Sequence, residues 1–367
     1  MKVGSPIAIG LVGPLPPPSG GMANQTQQLA RLLTETGMTV ELVQVNAKYR
    51  PAWVERLRGV RAGFRLIPYL LRVWRCAGRA DLFHVMANSG WAWHLFVVPA
   101  VWIGRVRGVP VIVNYRGGEA EAFLERQAAL IKLTLRRAFA VIVPSAFLED
   151  VFGRFGVTTQ IVANIVDLSR FHPGPSRHAG RHVIVTRNLE DIYDIPTALR
   201  AFAEIRRTYA DATLTVAGSG PGLADLQALS QALGIDAAVR FTGRLDNALI
   251  AELYRSADLV LNPSTIDNMP ISLLEAMASG VPIVSTNVGG IPYLATNHRN
   301  ALLVPKQDPA AMAAAGLRVF AEPGLAASLK QAGVECAAQY TWAQVRPRLL
   351  AVYATALGVA SLNHCTT

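Results

Sequence analysis

Residues 267–290 read DNMPISLLEAMASGVPIVSTNVGG, directly after the apolar run Leu259-Val260-Leu261 and the turn Asn262-Pro263-Ser264. Pro270 suits the first turn of a helix, where its missing N–H removes no bond and its fixed φ fits. Leu273, Leu274, Met277 and Ala278 then recur at helical spacing until Gly280, and Val281 to Ser285 reads as the next buried strand. The order is strand, loop, short helix, strand. The helix start near Pro270, Ile271 and Ser272 offers free backbone N–H groups at the positive end of the dipole, an anion site. Asp267 in the feeding loop and Glu275 in the helix place two carboxylates beside it, arranged to accept hydrogen bonds from sugar and ribose hydroxyls. Two solvated acids on an ordinary loop and helix are the plain alternative.

The longer segment PSTIDNMPISLLEAMASGVPIVSTNVGGIPYLATNHRNALLVP resembles the nucleotide-sugar motif of retaining glycosyltransferases of family 4. That pattern is a Glu, seven residues, then Glu-Ala-Met/Phe-Ala, Gly-x-Pro-Val/Ile and a Gly-Gly turn. The resemblance implies a GT-B fold, two Rossmann-like doubly wound domains facing each other across a cleft, and sugar transfer with retention and without a metal ion. Glu275 matches the family's second Glu, implying contact with the donor ribose. Asp267 stands one methylene shorter than the first Glu, implying contact with the donor sugar, along with Met269 at the loop. No cofactor is implied; the nucleotide sugar is a substrate.

Around this stretch, 367 residues with 51% apolar content suffice for two cores. The alternation of apolar strands with amphipathic helices argues doubly wound α/β independently of the resemblance. Cys76, Cys336 and Cys365 are odd in number and scattered, with neither a CxxC nor a Cys/His cluster. They read as reduced thiols in a cytoplasmic protein, without a disulfide framework or zinc site. Met1 to Val12 reads as a first buried strand; its apolar run is broken by Gly and Pro and lacks the cleavage site of a signal peptide.

The net charge of +10 lies wholly in residues 1–170, which hold 20 Lys+Arg against 10 Asp+Glu. Lys48 to Arg79 alone has nine basic residues and one acid, with Trp53, Phe64, Tyr69 and Trp74 interleaved. Such a segment suits an anionic membrane surface; a solvated helix face is the rival, and no nucleic-acid motif accompanies it. Trp91 to Ile103 is apolar but short of the roughly 20 residues of a bilayer span, so a buried helix or a membrane-facing patch is expected.

Along the chain, Ile7 to Val12, the Pro-Gly loop ending in Gly20-Gly21, and the helical pattern Gln25 to Leu33 open a Rossmann-like half. Gly20 and Gly21 allow close approach to a ligand, or simply a flexible turn. His84 reads as the end of the strand Asp81 to Met86, facing a ligand or satisfied in the core. Asn114-Tyr115-Arg116-Gly117-Gly118-Glu119 follows another strand; the family usually has His-Gly here, and Arg116 in its place implies an anion-binding cleft residue. Glu119 and Glu121 suit a helix start.

After the strand Ala140 to Pro144, Asn164-Ile165-Val166-Asp167 resembles the family's Asn-Gly-Val-Asp, and Phe171 to Arg181 reads as a linker. Arg187, after the strand Val183 to Thr186, matches the family's diphosphate arginine. The usual lysine a few residues later is replaced by Tyr193, which leaves one cation fewer, with Arg116, Arg244 and Lys306 as candidates to compensate. Gly218-Ser219-Gly220-Pro221 reads as a turn beside the nucleotide, since its glycine spacing departs from a dinucleotide fingerprint. Arg244 closes Val239 to Gly243, near base and phosphates in the family.

The expected domains are residues 1–170, acceptor-binding; 171–340, nucleotide-sugar-binding; and 341–367, a last helix crossing back with a tail. The expected function is transfer of a sugar from a nucleotide-sugar donor to a lipid-linked or saccharide acceptor, as in polysaccharide biosynthesis. The place of action is the cytoplasm, with peripheral contact at the cell membrane. A catalytically degenerate sugar-nucleotide-binding protein and a sugar-nucleotide epimerase remain alternatives, prompted by Arg116, Tyr193 and Asp267.

Overall fold

The computed structural model describes residues 6–17, 20–48, 53, 61–174 and 181–362. The chain forms two compact units, Met1–Asn164 with Ala343–Thr367, and Ile165–Trp342. Chain tracing passes from the first to the second at Asn164, before the stretch 171–181. Of that stretch, residues 175–180 lie outside the described residues, as does most of 48–60.

In the first unit the strands are β1 (Ala8–Gly13), β2 (Thr39–Gln44), β3 (Leu82–Ala87), β4 (Val111–Tyr115), β5 (Ala140–Val143) and β6 (Gln160–Ile161). They pair in parallel in the order β2-β1-β3-β4-β5-β6. The connecting helices are α1 (Gly21–Glu35), α2 (Arg61–Cys76), α3 (Val98–Val106), α4 (Ala120–Leu135) and α5 (Ala146–Arg154). Strands β3 and β4 are buried along their whole length, the pattern of parallel strands covered on both faces. His84 therefore lies in mid-strand and fully buried, the core alternative of the two that its spacing left open. The apolar run 91–103 folds as a π-helical turn, Trp93–Val97, continuing into α3. Trp93 is buried there and Trp91 is 79% exposed.

The second unit repeats the plan. Its strands are β7 (His182–Val185), β8 (Thr213–Ala217), β9 (Val239–Gly243), β10 (Leu259–Asn262), β11 (Ile283–Thr286) and β12 (Leu302–Val304). The sheet order is β12-β11-β10-β7-β8-β9, again parallel throughout. The helices are α6 (Ile195–Thr208), α7 (Leu223–Ala232), α8 (Asn247–Ser256), α9 (Ile271–Ala278), α10 (Ile291–Leu294), α11 (Pro309–Ala321) and α12 (Leu325–Ala337). A last helix, α13 (Trp342–Leu357), brings Ala343 onward into the first unit. In both sheets the strand order reverses, between β1 and β3 and between β10 and β7, and the loops at their carboxyl ends are where ligands of such folds sit. No helix among the described residues is long and apolar enough to cross a membrane.

Candidate functional site

At the carboxyl end of β10 and β7, the second unit gathers most of the residues singled out by sequence. Pro270 is the residue just outside α9, with φ −66° and ψ 119°, so the helix proper begins at Ile271, one residue later than the spacing suggested. Met269, Pro270 and Ser272 are buried and Ile271 is half-buried. The backbone N–H groups of Ile271 and Ser272 fall in the first turn, ahead of any intrahelical acceptor.

Arg187, two residues beyond β7, is held from four sides. Its Nη1 donates to Ser272 Oγ at 3.0 Å and its Nη2 to Ser264 Oγ at 3.2 Å. Nη2 also pairs with Asp267 Oδ2. The ring of Tyr193 lies under the guanidinium, 4.3 Å from its carbon to the ring centroid. Tyr193, where the resemblance expects a lysine, thus lies against the arginine. Burial lowers the Arg187 pKa, and the nearby Tyr193, Tyr254 and Glu275 raise it. The Nε of Arg187 is buried without a hydrogen-bond acceptor among the described residues.

The backbone that carries these side chains is fixed by glycines at close approaches. A Cβ on Gly218 would sit 1.9 Å from the Arg187 carbonyl oxygen, and one on Gly290 would sit 1.6 Å from that of Asn268. The Gly290 N–H donates to the Asp267 carbonyl at 2.8 Å. The turn at Gly218 and the Gly289-Gly290 turn therefore act as backing for Arg187 and Asp267.

Glu275 is half-buried on α9 and accepts from the Tyr254 hydroxyl, 3.4 Å from Oε2. Tyr254 also donates to the Ser272 carbonyl at 3.0 Å, and its hydroxyl lies 2.7 Å from Thr186 Oγ1. Burial pushes the Glu275 carboxyl up to about 8, against the lowering effects of Tyr254, Arg170 and Arg187. Tyr254 is raised as well, by its own burial first and by Glu275 second. Sequence reasoning missed Tyr254, Ser264, Thr186 and Arg170. Tyr254 sits among apolar residues of α8 and carries no signal that separates it from a core aromatic. Arg244 is exposed and has no side-chain partner among the described residues, and Lys306 is exposed. Neither is joined to the cluster, whereas Arg170 is close enough to favour the ionised form of Glu275.

The first unit holds Arg116, Gly20 and Gly21. Gly20 precedes α1 in an extended conformation, φ −168°, and a Cβ there would meet nothing within 4 Å. Arg116 follows β4; its Nε donates to Asn114 Oδ1 at 3.1 Å and its Nη1 to Gln25 Oε1 of α1 at 3.3 Å and to Asn164 Oδ1. Burial lowers its pKa to about 10, so it is cationic at neutral pH. Behind it, Asn114 Nδ2 lies 3.0 Å from His84 Nε2, and His84 Nδ1 lies 2.7 Å from the Tyr353 hydroxyl on α13. Gln25 and Tyr353 were not singled out by sequence as site residues, since single amides and aromatics in amphipathic patterns are ordinary, and Asn164 was named only within the segment Asn164-Ile165-Val166-Asp167.

Comparison with known proteins agrees with this arrangement. Residues 180–322 match the family model described as glycosyl transferases group 1. Residues 20–164 match the glycosyl transferase 4-like domain. The D-inositol 3-phosphate glycosyltransferase 2 of Catenulispora acidiphila is 30% identical over 52% of this chain and 49% of its own length, so the match spans about half of that relative. The glycogen synthase of Mycobacterium tuberculosis is 27% identical over 81% of this chain and 73% of its own. Among solved structures, the sucrose-phosphate synthase of Thermosynechococcus elongatus superposes with a TM-score of 0.78 at 20% identity, covering 96% of this chain and 99% of that one. Anabaena HepE, solved with UDP and glucose, gives 0.72 at 16% identity, covering 95% and 100%. With both units matched by models of one enzyme class and both built as Rossmann-like sheets, the chain belongs to the glycosyl transferases group 1 family of GT-B glycosyltransferases.

Proposed function

We propose that the protein transfers a sugar from a nucleotide-sugar donor to a lipid-linked or saccharide acceptor, with retention of configuration and without a metal ion. The observation that carries this reading is the connected set Arg187, Ser272, Tyr254 and Glu275 at the start of α9. A departing nucleoside diphosphate needs preorganised donors, and a ribose needs an acceptor beside them. Arg187, whose buried Nε has no acceptor among the described residues, and the N–H groups of Ile271 and Ser272 serve the diphosphate. Glu275 serves the ribose. Asp267 holds Arg187 in the free protein; an arriving diphosphate competes for the guanidinium and releases Asp267 toward the hydroxyls of the donor sugar. Arg116 serves an anionic group of the acceptor or donor. The relatives named for D-inositol 3-phosphate and glycogen, and a fold neighbour solved with UDP and glucose, support a nucleotide-sugar donor.

Membrane contact through α2 belongs to the same reading. Phe64, Ile67, Leu71 and Trp74 recur at helical spacing and are exposed, while Tyr69, Val73 and Cys76 form the buried side. Arg107 lies 4.9 Å over Trp74, and Arg72 and Arg75 are exposed beside the stripe. An apolar stripe flanked by arginines suits the interface of an anionic bilayer.

Incubation with a panel of UDP-, GDP- and ADP-sugars, with and without glycolipid acceptors and with a chelator present, tests the reading. Transfer that persists with the chelator, gives a product of unchanged anomeric configuration and collapses in Glu275→Ala is the expected result. Wild-type rates in that variant would remove the assignment. Failure to co-sediment with anionic liposomes at low salt would remove the membrane part alone.

A further inference from the structure

The first unit has a cavity of about 590 Å³ that the nucleotide reading leaves unused. It lies beyond the carboxyl ends of β3 and β4, and its lining includes Trp91, His94, Glu119, Phe123, Arg126 and Gln127. The size falls within the roughly 300–1,000 Å³ of small-molecule pockets.

Two departures from regular backbone meet across it. The π-helical turn Trp93–Val97 displaces His94, and α4 carries a kink at Gln127, with φ −142° and ψ 25° inside the helix. The two are joined by a 2.6 Å hydrogen bond between His94 Nε2 and Gln127 Oε1. A π-turn and an interior kink each forfeit regular helical hydrogen bonding and are found where a side chain must be aimed. The loops that frame the cavity are locked to each other: a Cβ on Gly117 would sit 2.5 Å from Asn88 Oδ1, and Ser89 Oγ lies 2.7 Å from the Tyr115 hydroxyl. The site is preformed, which lowers the ordering cost of binding.

The lining states the chemistry of the ligand. Trp91 is 79% exposed, with its indole edge-on to His94 at 6.2 Å, and Phe123 and Leu130 add apolar wall. Around these stand planar polar groups. With Gln127 Oε1 accepting from His94 Nε2, the amide NH₂ of Gln127 and the Nδ1 of His94 have no partner among the described residues. Glu119 and Arg126 add an exposed acceptor and an exposed donor of opposite charge. A nucleoside diphosphate requires a net cationic wall, which Arg126 beside Glu119 does not give. An acyl chain would cover the Gln127 amide nitrogen and His94 Nδ1 without offering either a partner. A pyranose ring has an apolar C–H face for the indole and a belt of hydroxyls for the imidazole, amide and carboxylate.

From this juxtaposition we infer that the cavity binds a pyranose ring of the acceptor, with Trp91 as its platform and His94 and Gln127 as its hydroxyl partners. The inference rests on the transferase reading for the word acceptor, and on the cavity alone for the sugar. Both a free glycan and a lipid-linked sugar carry such a ring.

Saturation-transfer NMR with methyl glycosides of glucose, galactose, mannose and N-acetylglucosamine, recorded with saturating UDP to fill the donor site, provides the test. At least one glycoside shows ring-proton enhancement in the wild type, weakened at least tenfold in Trp91→Ala and largely kept in Trp91→Phe; the exposed position of Trp91 keeps the variants folded, which melting curves verify. The octyl glycoside of the same sugar, below its micelle concentration, binds equally to a site built for free glycans and more tightly to one built for lipid-linked sugars, with Trp91 required in both cases. No enhancement from any glycoside, or enhancement equal in Trp91→Ala, would overturn the proposal. Absence of binding by every nucleotide sugar of the panel, titrated in separate samples without UDP, would instead remove the transferase reading while leaving the sugar site standing.

Discussion

Asp267 and Arg187 form an ion pair in which the two side chains are only 14% and 11% exposed. The short aspartate, where the resembled motif has glutamate, stays beside the guanidinium, with Oδ1 also accepting from the Asn268 N–H at 2.9 Å. Removing one member of a buried pair strands the other charge, at about 3–5 kcal/mol. Asp267→Asn therefore melts lower than wild type, yet its Arg187 is uncompensated and binds UDP more tightly. Thermal melts with and without UDP read both effects at once: a lower baseline with a larger ligand-induced rise. A smaller rise would mean that Asp267 does not compete with the diphosphate.

On the proposed function, Glu275 gives donor binding a pH dependence. Burial holds its carboxyl near 8 against an ordinary 4.5. Between those values the unfolded chain gives up the proton and the folded one keeps it, so this group's contribution to stability falls as pH rises from about 4.5 to 8. Ribose hydroxyls donate to a carboxylate, so donor binding favours the ionised form and runs against the same shift. Affinity for a nucleotide sugar, whose diphosphate diester does not titrate in this range, climbs up to about tenfold per pH unit between 6 and 8 and levels off above. Calorimetry across that range checks the slope, which is absent in Glu275→Gln.

Tyr193 shows where the sequence was readable and where it was not. Periodicity placed most strands of both units and the helices that begin near Gln25 and Pro270, because parallel strands buried on both faces impose strong patterns; the helices Ala146–Arg154, Leu223–Ala232, Asn247–Ser256 and Ile291–Leu294 passed unmarked. The resemblance grouped Arg187, Asp267 and Glu275, which lie after the adjacent strands β7 and β10, on two loops and on α9. What the spacing concealed is partnership. Tyr193 stands where the resembled motif has a lysine and reads as a phosphate donor without charge; its ring contact under Arg187 carried no signal in the spacing. Arg116 reads as a cleft cation, and its linkage through Asn114 and His84 to Tyr353, some 240 residues along the chain, has no local signature. For His84 the spacing left ligand and core both open, because a one- or two-residue shift at a strand boundary decides between them, and the residue is buried inside β3.

The stacked ring predicts an ordered series at position 193. Tyr193→Phe keeps the cation–π contact and melts like wild type, whereas Tyr193→Ala loses about 0.5–2 kcal/mol. Tyr193→Lys sets an ammonium beside the guanidinium; it is less stable than wild type without ligand and gains affinity for UDP, since the second cation meets the diphosphate. Chemical denaturation and UDP titration of the three variants check the order. Equal stability of all three would show that the stacking contributes nothing.

The linkage behind Arg116 fixes a protonation state. Arg116 Nε is a donor, so the Asn114 oxygen faces it and the amide nitrogen faces His84 Nε2, which must then accept. The proton of His84 is on Nδ1, donated to the Tyr353 hydroxyl at 2.7 Å. Burial and the charge of Arg116 push the imidazole pKa down to about 3. As pH falls below about 6.5 the unfolded chain takes up a proton that the folded one refuses, so stability declines by up to about 1.4 kcal/mol per unit from this group. Tyr353→Phe leaves the Nδ1 proton buried without an acceptor and destabilises by about 1–3 kcal/mol, with the first unit affected. Long-range proton–nitrogen correlation spectra report the tautomer directly: a single Nδ1–H form unchanged between pH 8 and 5.5 is expected, and a doubly protonated ring or an Nε2–H form in that range would show that the hydrogen bonds run the other way.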